Sequence, residues 1–527
     1  MLKAFLFILL LAGGLRFTAL TFDSLWLDES YQTVVESYGN ALPDLFNLSA
    51  NPVIYKFDKP ASIENVLKNF RKVDPLCPPL FAIIMNRWLT IFGGSDFTLR
   101  SFSTICSILS IVAIYFFGSS LLGKRAGIYA ALLQTISPFD INYAQEARMY
   151  SLCTLLATLA SCSLLHLCVK ERSSKSIFFA LIYILSTWAL INTHYTQIFL
   201  WAFAIGISFV IAILRKDWLL TSCLVLMNIC VLALCLPWVP LFLQAAGIRT
   251  ASFYVARQPS SWWPIWALLV RIPFNWLTFL SGKKVMLWAA PVYLTSSLIL
   301  AKAILLLFDN IKTKWYLNLS KQLSSTLSAK NLGILLFLWA LFPALMIWAL
   351  DVLESHRVIE ISRYLISTAP AIFLLGGFAL SNITNPRLFF SLVFCHSSFC
   401  LANNAYLHIV PQKEDWRKMA QLIENKCHPN EIIFVSNYYN IVCLDRYLNN
   451  PLRQIGISPS IGPSIIEKTI VQEKNNSNQD PVFWILAAQE GDAIFNTISS
   501  QYKMIGQYDF PHALHLRQYK AEYSTQQ

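Results

Sequence analysis

The sequence predicts a polytopic α-helical membrane protein of about eleven spans, with a small extracytoplasmic α/β domain at its C-terminus. Three observations predict the membrane part and the tail. Of 527 residues, 56% are hydrophobic and only 13% charged, and the mean hydropathy is +0.51. A soluble chain of this length cannot hide so much apolar surface, so lipid must be its solvent. Apolar segments recur almost to residue 410. Beyond that point the balance changes. From Pro411 to Gln527 there are eleven Lys and Arg against twelve Asp and Glu, which leaves thirty against seventeen in the apolar part.

A spanning helix takes about 20 apolar residues. That length selects 3–22, 99–121, 126–144, 150–169, 177–192, 195–214, 218–240, 286–308, 332–350, 364–382 and 387–407. The first segment carries Lys3 like a signal peptide, but no small-x-small cleavage site follows it, and Arg16 suits a retained helix better. Short basic connections mark one side of the membrane: Lys124-Arg125, Lys170-Glu171-Arg172 with Lys175, Arg215-Lys216, the Lys312, Lys314, Lys321 and Lys330 loop, and Arg387. By the positive-inside rule that side, with Lys3, is cytoplasmic. An odd number of spans then places residues 408–527 outside, and makes the protein an integral, multi-pass protein of the cytoplasmic membrane.

Two apolar stretches are excluded from this threading. Residues 78–93 are short and carry Asn86 and Arg87, as an amphipathic helix along the outer interface would. Residues 262–284 hold Trp262, Trp263, Trp266, Arg271, Pro273 and Trp276, the aromatic density of a headgroup region. If this segment spans, everything after it inverts. Two domains follow: 1–410 in the membrane, with a first outer loop at 23–98, and 411–527 outside. In the tail, Glu414 to Lys426 and Gln489 to Ser500 read as helices, Glu431 to Ser436 and Val482 to Ala487 as strands, and Val471 to Asp480 as a mobile polar loop.

The excess of basic residues in the membrane part is accounted for by the positive-inside bias and anionic lipid headgroups. No soluble basic face is present for nucleic acid. Nine of the twelve cysteines lie inside apolar runs, where they pack as small apolar residues. Cys77, Cys427 and Cys443 lie outside, with no metal spacing; Cys427 and Cys443 are either a disulfide or two free thiols.

The polar residues at the ends of the spans carry the chemistry. The apolar N-terminus (Met1 to Phe22) runs into Trp26-Leu27-Asp28-Glu29-Ser30, an acidic pair where a membrane helix surfaces. Such a pair is either a helix cap or a base or metal ligand in a cleft. Arg100, after Gly93-Gly94-Ser95-Asp96, is a snorkelling residue or a phosphate clamp. Asn142 to Tyr150 places Glu146, Arg148 and Tyr150 between two spans, with Glu146 and Arg148 spaced to engage different partners. Asn192-Thr193-His194-Tyr195 and Arg363-Tyr364 are ambiguous singly. All emerge on the same expected face. Carboxylates and cations at a membrane surface suit a polar, anionic, lipid-attached substrate such as a lipid-phosphate sugar.

Three segments resemble a known group. Trp26-Leu27-Asp28-Glu29, Pro78-Pro79-Leu80 through Phe97-Thr98-Leu99-Arg100-Ser101, and Ser137-Pro138 through Gln145-Glu146-Ala147-Arg148-Met149-Tyr150 resemble, in order and spacing, the bacterial GT-C membrane glycosyltransferases. The resemblance is to glycosyltransferase family 39, with the protein O-mannosyltransferases and the aminoarabinose transferases of lipid A. It is strong over 20–200; Arg363-Tyr364 and Asp415-Trp416-Arg417 echo it more softly. It implies an enzyme that moves a hexosyl or pentosyl group from a polyprenyl-phosphate sugar donor to an unknown hydroxyl acceptor, with inversion. It assigns Asp28 as base; Glu29 is expected to orient Asp28 or the loop. Arg100, Arg148 and Arg363 would bind the donor phosphate, and Glu146, Tyr150, His194, Tyr195 and Tyr364 would line the site. Cys77 departs from the pattern, because relatives commonly carry His or Lys before the Pro-Pro pair. No cofactor or dedicated metal cage is encoded, and members of the group differ in their need for a divalent cation.

Two other classes compete. A transporter or flippase of lipid-linked sugars would show paired repeats and broken helices at mid-membrane depth; no clear repeat is visible here. A scaffold whose outer domain binds partners leaves the acidic pair and the arginines without a role. Deleting 411–527 is expected to abolish scaffold function while sparing an enzyme's chemistry.

Overall fold

Seven helices among the described residues are long and apolar enough to cross a membrane: Asp96–Leu121, Tyr150–Val169, Trp218–Gln244, Ala290–Leu307, Leu332–Leu353, Ser362–Ser381 and Pro386–Ile409. Shorter apolar helices cover Leu80–Phe92, Ser176–Ile191 and Tyr195–Ile211. The computed structural model describes residues 1–39, 59–73, 77–169, 174–249, 261–282, 290–311, 329–458, 462–477, 480–488 and 491–523. The basic loops containing Lys170 to Arg172 and Lys312 to Lys321, and much of the outer loops at 30–76 and 241–285, lie outside the described residues. The protein is thus a mostly helical polytopic membrane protein. The segment at 262–284 is helical through Trp263–Trp266, a π-helical turn at Ala267–Arg271, and Ile272–Ser281. It is not among the seven apolar helices.

The chain divides into two units. One comprises Met1–Thr18, Pro75–Phe81 and Arg100–Tyr406; the other comprises Ala19–Asp74, Ala82–Leu99 and Leu407–Gln527.

Two helix boundaries in the first unit correct the sequence reading. The first apolar helix stops at Phe17 rather than running to residue 22. The stretch 126–144 is not one helix but two, Lys124–Ile136 and Pro138–Ala144. Pro138 lacks an N–H and cannot continue a helix, but it suits a first helical position. Ser137 caps the new helix by accepting the Asp140 N–H at 3.1 Å, and its own hydroxyl donates to the Phe279 carbonyl at 2.6 Å.

A break of this kind leaves carbonyls of the first helix without intrahelical partners. Arg16 supplies them. Its guanidinium donates to the carbonyls of Gln134 and Thr135, both at 3.0 Å, to Ser107 Oγ at 2.7 Å and to Asp140 Oδ2 at 2.7 Å. Ser107 donates to the same Asp140 oxygen at 2.6 Å, and Gln134 reaches Asp140 Oδ1 at 3.2 Å. Asp140 lies in the first turn of its helix, where the helix dipole favours a negative charge. Arg16 is fully buried, so neither charge is left to water. Around this knot Phe5, Ile8 and Ala12 pack on Ile111, Ile128 and Ala131. On the next helix Gly377 lies so close to Ala126 and Ala130 that a Cβ would come within 2.4 Å of the Ala126 carbonyl. Small residues of this kind let membrane helices pack backbone to backbone.

The second unit holds a five-stranded sheet of order β2-β1-β3-β5-β4, with β1 Ile432–Ser436, β2 Arg453–Ile457, β3 Val482–Ala488, β4 Tyr502–Phe510 and β5 Leu514–Tyr523. Strands β1, β2 and β3 are parallel, and β5 pairs antiparallel with β3 and β4. Alternate residues face opposite sides. Ile433, Val435, Trp484 and Leu486 meet Trp416, Met419 and Ile423, while Ile432, Phe434, Phe483 and Ile485 meet Ile466, Ile470, Ile494 and Ile498. The expected helix and strands at 414–436 and 482–487 are present, and Gly491–Ser499 forms the second helix. The expected loop at 471–480 is instead mostly the end of the helix Gly462–Ser477, anchored by Ile466 and Ile470 one turn apart. Cys427 and Cys443 are both free thiols in the first of these cores.

Breaking the Arg16–Asp140 pair from one side leaves a charge buried without its partner, which costs about 3–5 kcal/mol. We therefore expect Arg16→Met to lower the apparent melting temperature of the purified protein sharply. Arg16→Met with Asp140→Asn should lower it less than the two single changes added together. Additive losses, measured by thermal unfolding in detergent, would mean that the two residues act separately.

Candidate active site

In the first unit the knot at Arg16 sets the segment that follows it. Helix Pro138–Ala144 ends at Gln145, whose side chain donates to the carbonyls of Thr18 at 2.8 Å and Arg16 at 3.1 Å. On the helix Asp96–Leu121, Arg100 shares a face with Ser103, Thr104 and Ser107 at helical spacing. Ser103 donates to the Arg148 carbonyl at 3.0 Å and Thr104 to the Ala144 carbonyl at 2.9 Å. The turn at Glu146 to Arg148 is closed by the Arg148 N–H on the Glu146 carbonyl, 2.7 Å. Glu146 accepts from Asn142 at 3.2 Å. Arg100, Glu146, Arg148 and Tyr150 are all buried, at 2%, 6%, 5% and 1% exposure.

Three of the residues singled out from sequence, Arg148, His194 and Arg363, converge around the ring of Tyr150. The Arg148 guanidinium lies 5.8 Å from the ring centre and that of Arg363 5.7 Å. The His194 ring is 6.3 Å from that of Tyr150 and 5.3 Å from that of Tyr364, over which Arg363 also lies at 5.8 Å. His194 caps a short turn: its Nδ1 accepts the Thr196 N–H at 3.3 Å and shares a 2.8 Å hydrogen bond with the Thr196 hydroxyl. A ring nitrogen that accepts a backbone N–H carries no proton, so the neutral ring bears its proton on Nε2. Burial, and then the charges of Arg148 and Arg363, push the His194 pKa down to about 3. A place that gathers two guanidiniums and keeps its imidazole neutral favours an anion. Tyr195 turns its ring toward Phe242, 5.4 Å away. Arg363 is positioned by its neighbour Ser362, which donates to Asn275 at 2.8 Å, while Asn275 holds the Ile359 carbonyl at 2.9 Å.

The acidic pair belongs to the second unit. Asp28 opens a π-helical run, Asp28–Val35, a rare geometry frequent at functional sites. Asp28 is half-buried and Glu29 fully buried. Glu29 Oε2 pairs with Lys413 Nζ at 3.1 Å and accepts the Trp26 N–H at 3.4 Å. The thiol of Cys443 lies beside Ser30, Glu414 and Asp28; burial, then the two negative charges, push its pKa up. Asp96 is a second ionic centre. It pairs with Arg446 at 3.0 Å and Arg417 at 3.3 Å and accepts from the Tyr447 hydroxyl at 2.8 Å. Among the described residues no three His, Cys, Asp or Glu side chains gather as a metal site.

Sequence reasoning missed Asp140, Asp96, Lys413 and Tyr447. Asp140 was detectable as an ionisable residue inside an apolar run. Lys413 and Tyr447 carry no such local signal, because their partners are hundreds of residues away.

Residues 77–240 match the profile of the family described as dolichyl-phosphate-mannose-protein mannosyltransferase. No curated protein matches by sequence. The structure is similar to that of ArnT from Cupriavidus metallidurans in the apo state, with a TM-score of 0.62, 12% identity, and coverage of 100% of this chain and 99% of that one. ArnT bound to undecaprenyl phosphate superposes with a TM-score of 0.57 and 13% identity, covering 99% and 98%. The oligosaccharyltransferase AglB of Archaeoglobus fulgidus, in complex with an inhibitory peptide and a dolichol-phosphate, gives 0.51 and 11%, covering 100% of this chain and 74% of that one. At these identities the likeness is one of fold. The fold is shared with ArnT, and it agrees with the architecture that the resemblance of the three sequence segments implied.

A neutral folded His194 binds no proton above its depressed pKa, whereas an unfolded histidine titrates near about 6.5. Between those values the unfolded chain takes up a proton that the folded one refuses. Stability is therefore complete above the upper value and falls as the pH drops through the window. Wild type should lose more thermal stability than His194→Gln on going from pH 7 to pH 5. Parallel losses in the two proteins would mean that His194 is not held neutral.

Proposed function

We propose that this protein is a glycosyltransferase that moves one sugar from a polyprenyl-phosphate carrier to a hydroxyl acceptor on the extracytoplasmic face of the cytoplasmic membrane. The observation that carries this reading is the pair Arg148 and Arg363 flanking Tyr150 beside a neutral His194, within a fold shared with a protein solved bound to undecaprenyl phosphate. Two fixed guanidiniums suit a phosphate, since each presents planar donors and keeps its charge near lipid.

In the reaction we infer, Asp28 takes the proton of the acceptor hydroxyl as its oxygen attacks the anomeric carbon. The bond from that carbon to the phosphate oxygen breaks, and the carrier phosphate leaves with the electron pair. Arg148, Arg363 and Arg100 stabilise the charge that develops on it, and the Nε2–H of His194 offers one further donor. Glu146, Tyr150, Tyr195 and Tyr364 line the site, and Glu29 orients Asp28. A single displacement of this kind inverts the anomeric carbon. The acceptor is a lipid, glycan or protein hydroxyl.

Transfer from radiolabelled polyprenyl-phosphate sugars, by protein in nanodiscs, tests the assignment and names the sugar. Asp28→Asn should lose about a hundredfold or more in rate; full transfer at wild-type protein levels would remove Asp28 as base. Arg148→Ala and Arg363→Ala should raise the donor KM, and unchanged donor affinity in both would remove the phosphate assignment. A chelator in the same assay reads any need for a divalent cation.

A further inference from the structure

We propose that Lys413, at the start of the polar tail, is a positioning residue for the carboxylate pair Asp28–Glu29, so that the C-terminal domain is part of the catalytic apparatus. This rests on the reading of Asp28 as base.

Glu29 is fully buried. An ionised carboxylate away from water needs a cation or a proton. Lys413 provides the cation at 3.1 Å, and its own side chain is only 11% exposed, so water screens the pair little. The same ammonium lies 5.8 Å from the centre of the Trp26 ring. Glu29 Oε2, held by Lys413, also accepts the Trp26 N–H, and the Ser30 N–H donates to the Trp26 carbonyl at 2.9 Å. Residues 26–30 thus form one closed turn with Asp28 inside it, and Lys413 fixes that turn from outside.

Other tail residues hold the flanks of the same turn. The Leu25 N–H donates to the Tyr447 hydroxyl at 2.7 Å. Leu27 packs against the core that contains Trp416, Cys443 and Trp484. Gln412, next to Lys413, donates its N–H to Asp23 at 3.2 Å. The residues before and after Asp28 are therefore each tied to the tail, and Lys413 contributes the charged tie. Lys413 opens Lys413-Glu414-Asp415-Trp416-Arg417, where Asp415 caps the following helix and Trp416 is core.

The deletion experiment suggested by the sequence changes meaning as a result. Removing 411–527 takes away Lys413, Cys443 and Tyr447 together. An enzyme should then lose transfer as completely as a scaffold loses binding, so truncation does not separate the two readings.

Point variants of the full chain in the nanodisc assay test the proposal. Lys413→Met should lower kcat by about a hundredfold, the size of effect that misplacing a catalytic group by an ångström produces, with the donor KM unchanged. Lys413→Arg should restore most of the rate. Lys413 acts through Glu29, so Glu29→Gln with Lys413→Met should be no slower than Glu29→Gln alone. A wild-type kcat in Lys413→Met, a loss expressed through donor KM, or a double variant slower than Glu29→Gln would each overturn the proposal. If Lys413→Met does not fold, the comparison of the double variant with Glu29→Gln still decides, because both charges are then absent. Hydrogen exchange over residues 25–31 reads the same positioning without substrate: it should quicken in Lys413→Met, and unchanged exchange also overturns it. Asp28→Asn runs in the same panel. If that variant keeps full transfer, the base assignment and the positioning role fall together. If it is inactive beside a fully active Lys413→Met, only the positioning role falls.

Discussion

The first unit depends on the buried pair Arg16–Asp140. A proline at position 138 breaks an apolar run into two helices, which leaves buried helix-end carbonyls at Gln134 and Thr135 in need of partners. One guanidinium answers the break, because five donors in a planar fork reach two carbonyls, a hydroxyl and a carboxylate at once. The carboxylate in turn sits at the start of the helix that the break creates. Neither charge is tolerable without the other. Together they join the first helix to the helices at 96–121, 124–136 and 138–144.

That knot has a consequence for chemistry. The short helix Pro138–Ala144 can aim the following residues only because its N-terminus is fixed, and Gln145 fixes its other end on the carbonyls of Arg16 and Thr18. Arg148 and Tyr150 are delivered from this rigid support, while His194 and Arg363 arrive on short 3₁₀ turns at the ends of other apolar helices. Like charges brought together around one ring repel, and such an arrangement persists only when packing over-determines it. Ser103, Thr104, Thr196 and Ser362 supply that packing through bonds to backbone and side chains.

Much of this was legible in the sequence, and the boundary of legibility is physical. Apolar runs of spanning length report helices directly, and the polar residues interrupting them report where a cluster forms; Arg148, Tyr150, His194, Arg363 and Tyr364 were all found this way. Strands β2, β4 and β5 were missed because residues such as Arg453 to Ile457 and Tyr502 to Phe510 mix polar and apolar side chains, and pairing with β1 and β5 decides their conformation. The loop expected at 471–480 failed for a related reason: its polar residues extend a helix whose two anchoring isoleucines lie just before it. Asp140 lies inside a run counted as one helix, although its charge there was a detectable signal.

Charge in a chain that is only 13% charged is concentrated where a fold needs direction as well as cohesion. Apolar packing makes helices adhere but specifies register weakly, whereas an ion pair in a dry place has few acceptable geometries. The second unit repeats the principle with different parts. Asp96 takes Arg446, Arg417 and the Tyr447 hydroxyl, and Tyr447 passes the constraint on to the Leu25 N–H. Glu29 takes Lys413. These centres join residues of the first loop to residues of the tail that are separated by more than three hundred positions in the chain. A sheet domain added to the end of a membrane protein would need only a tether to be carried along. The ion pairs go further than a tether, because they specify how the turn containing Asp28 is held.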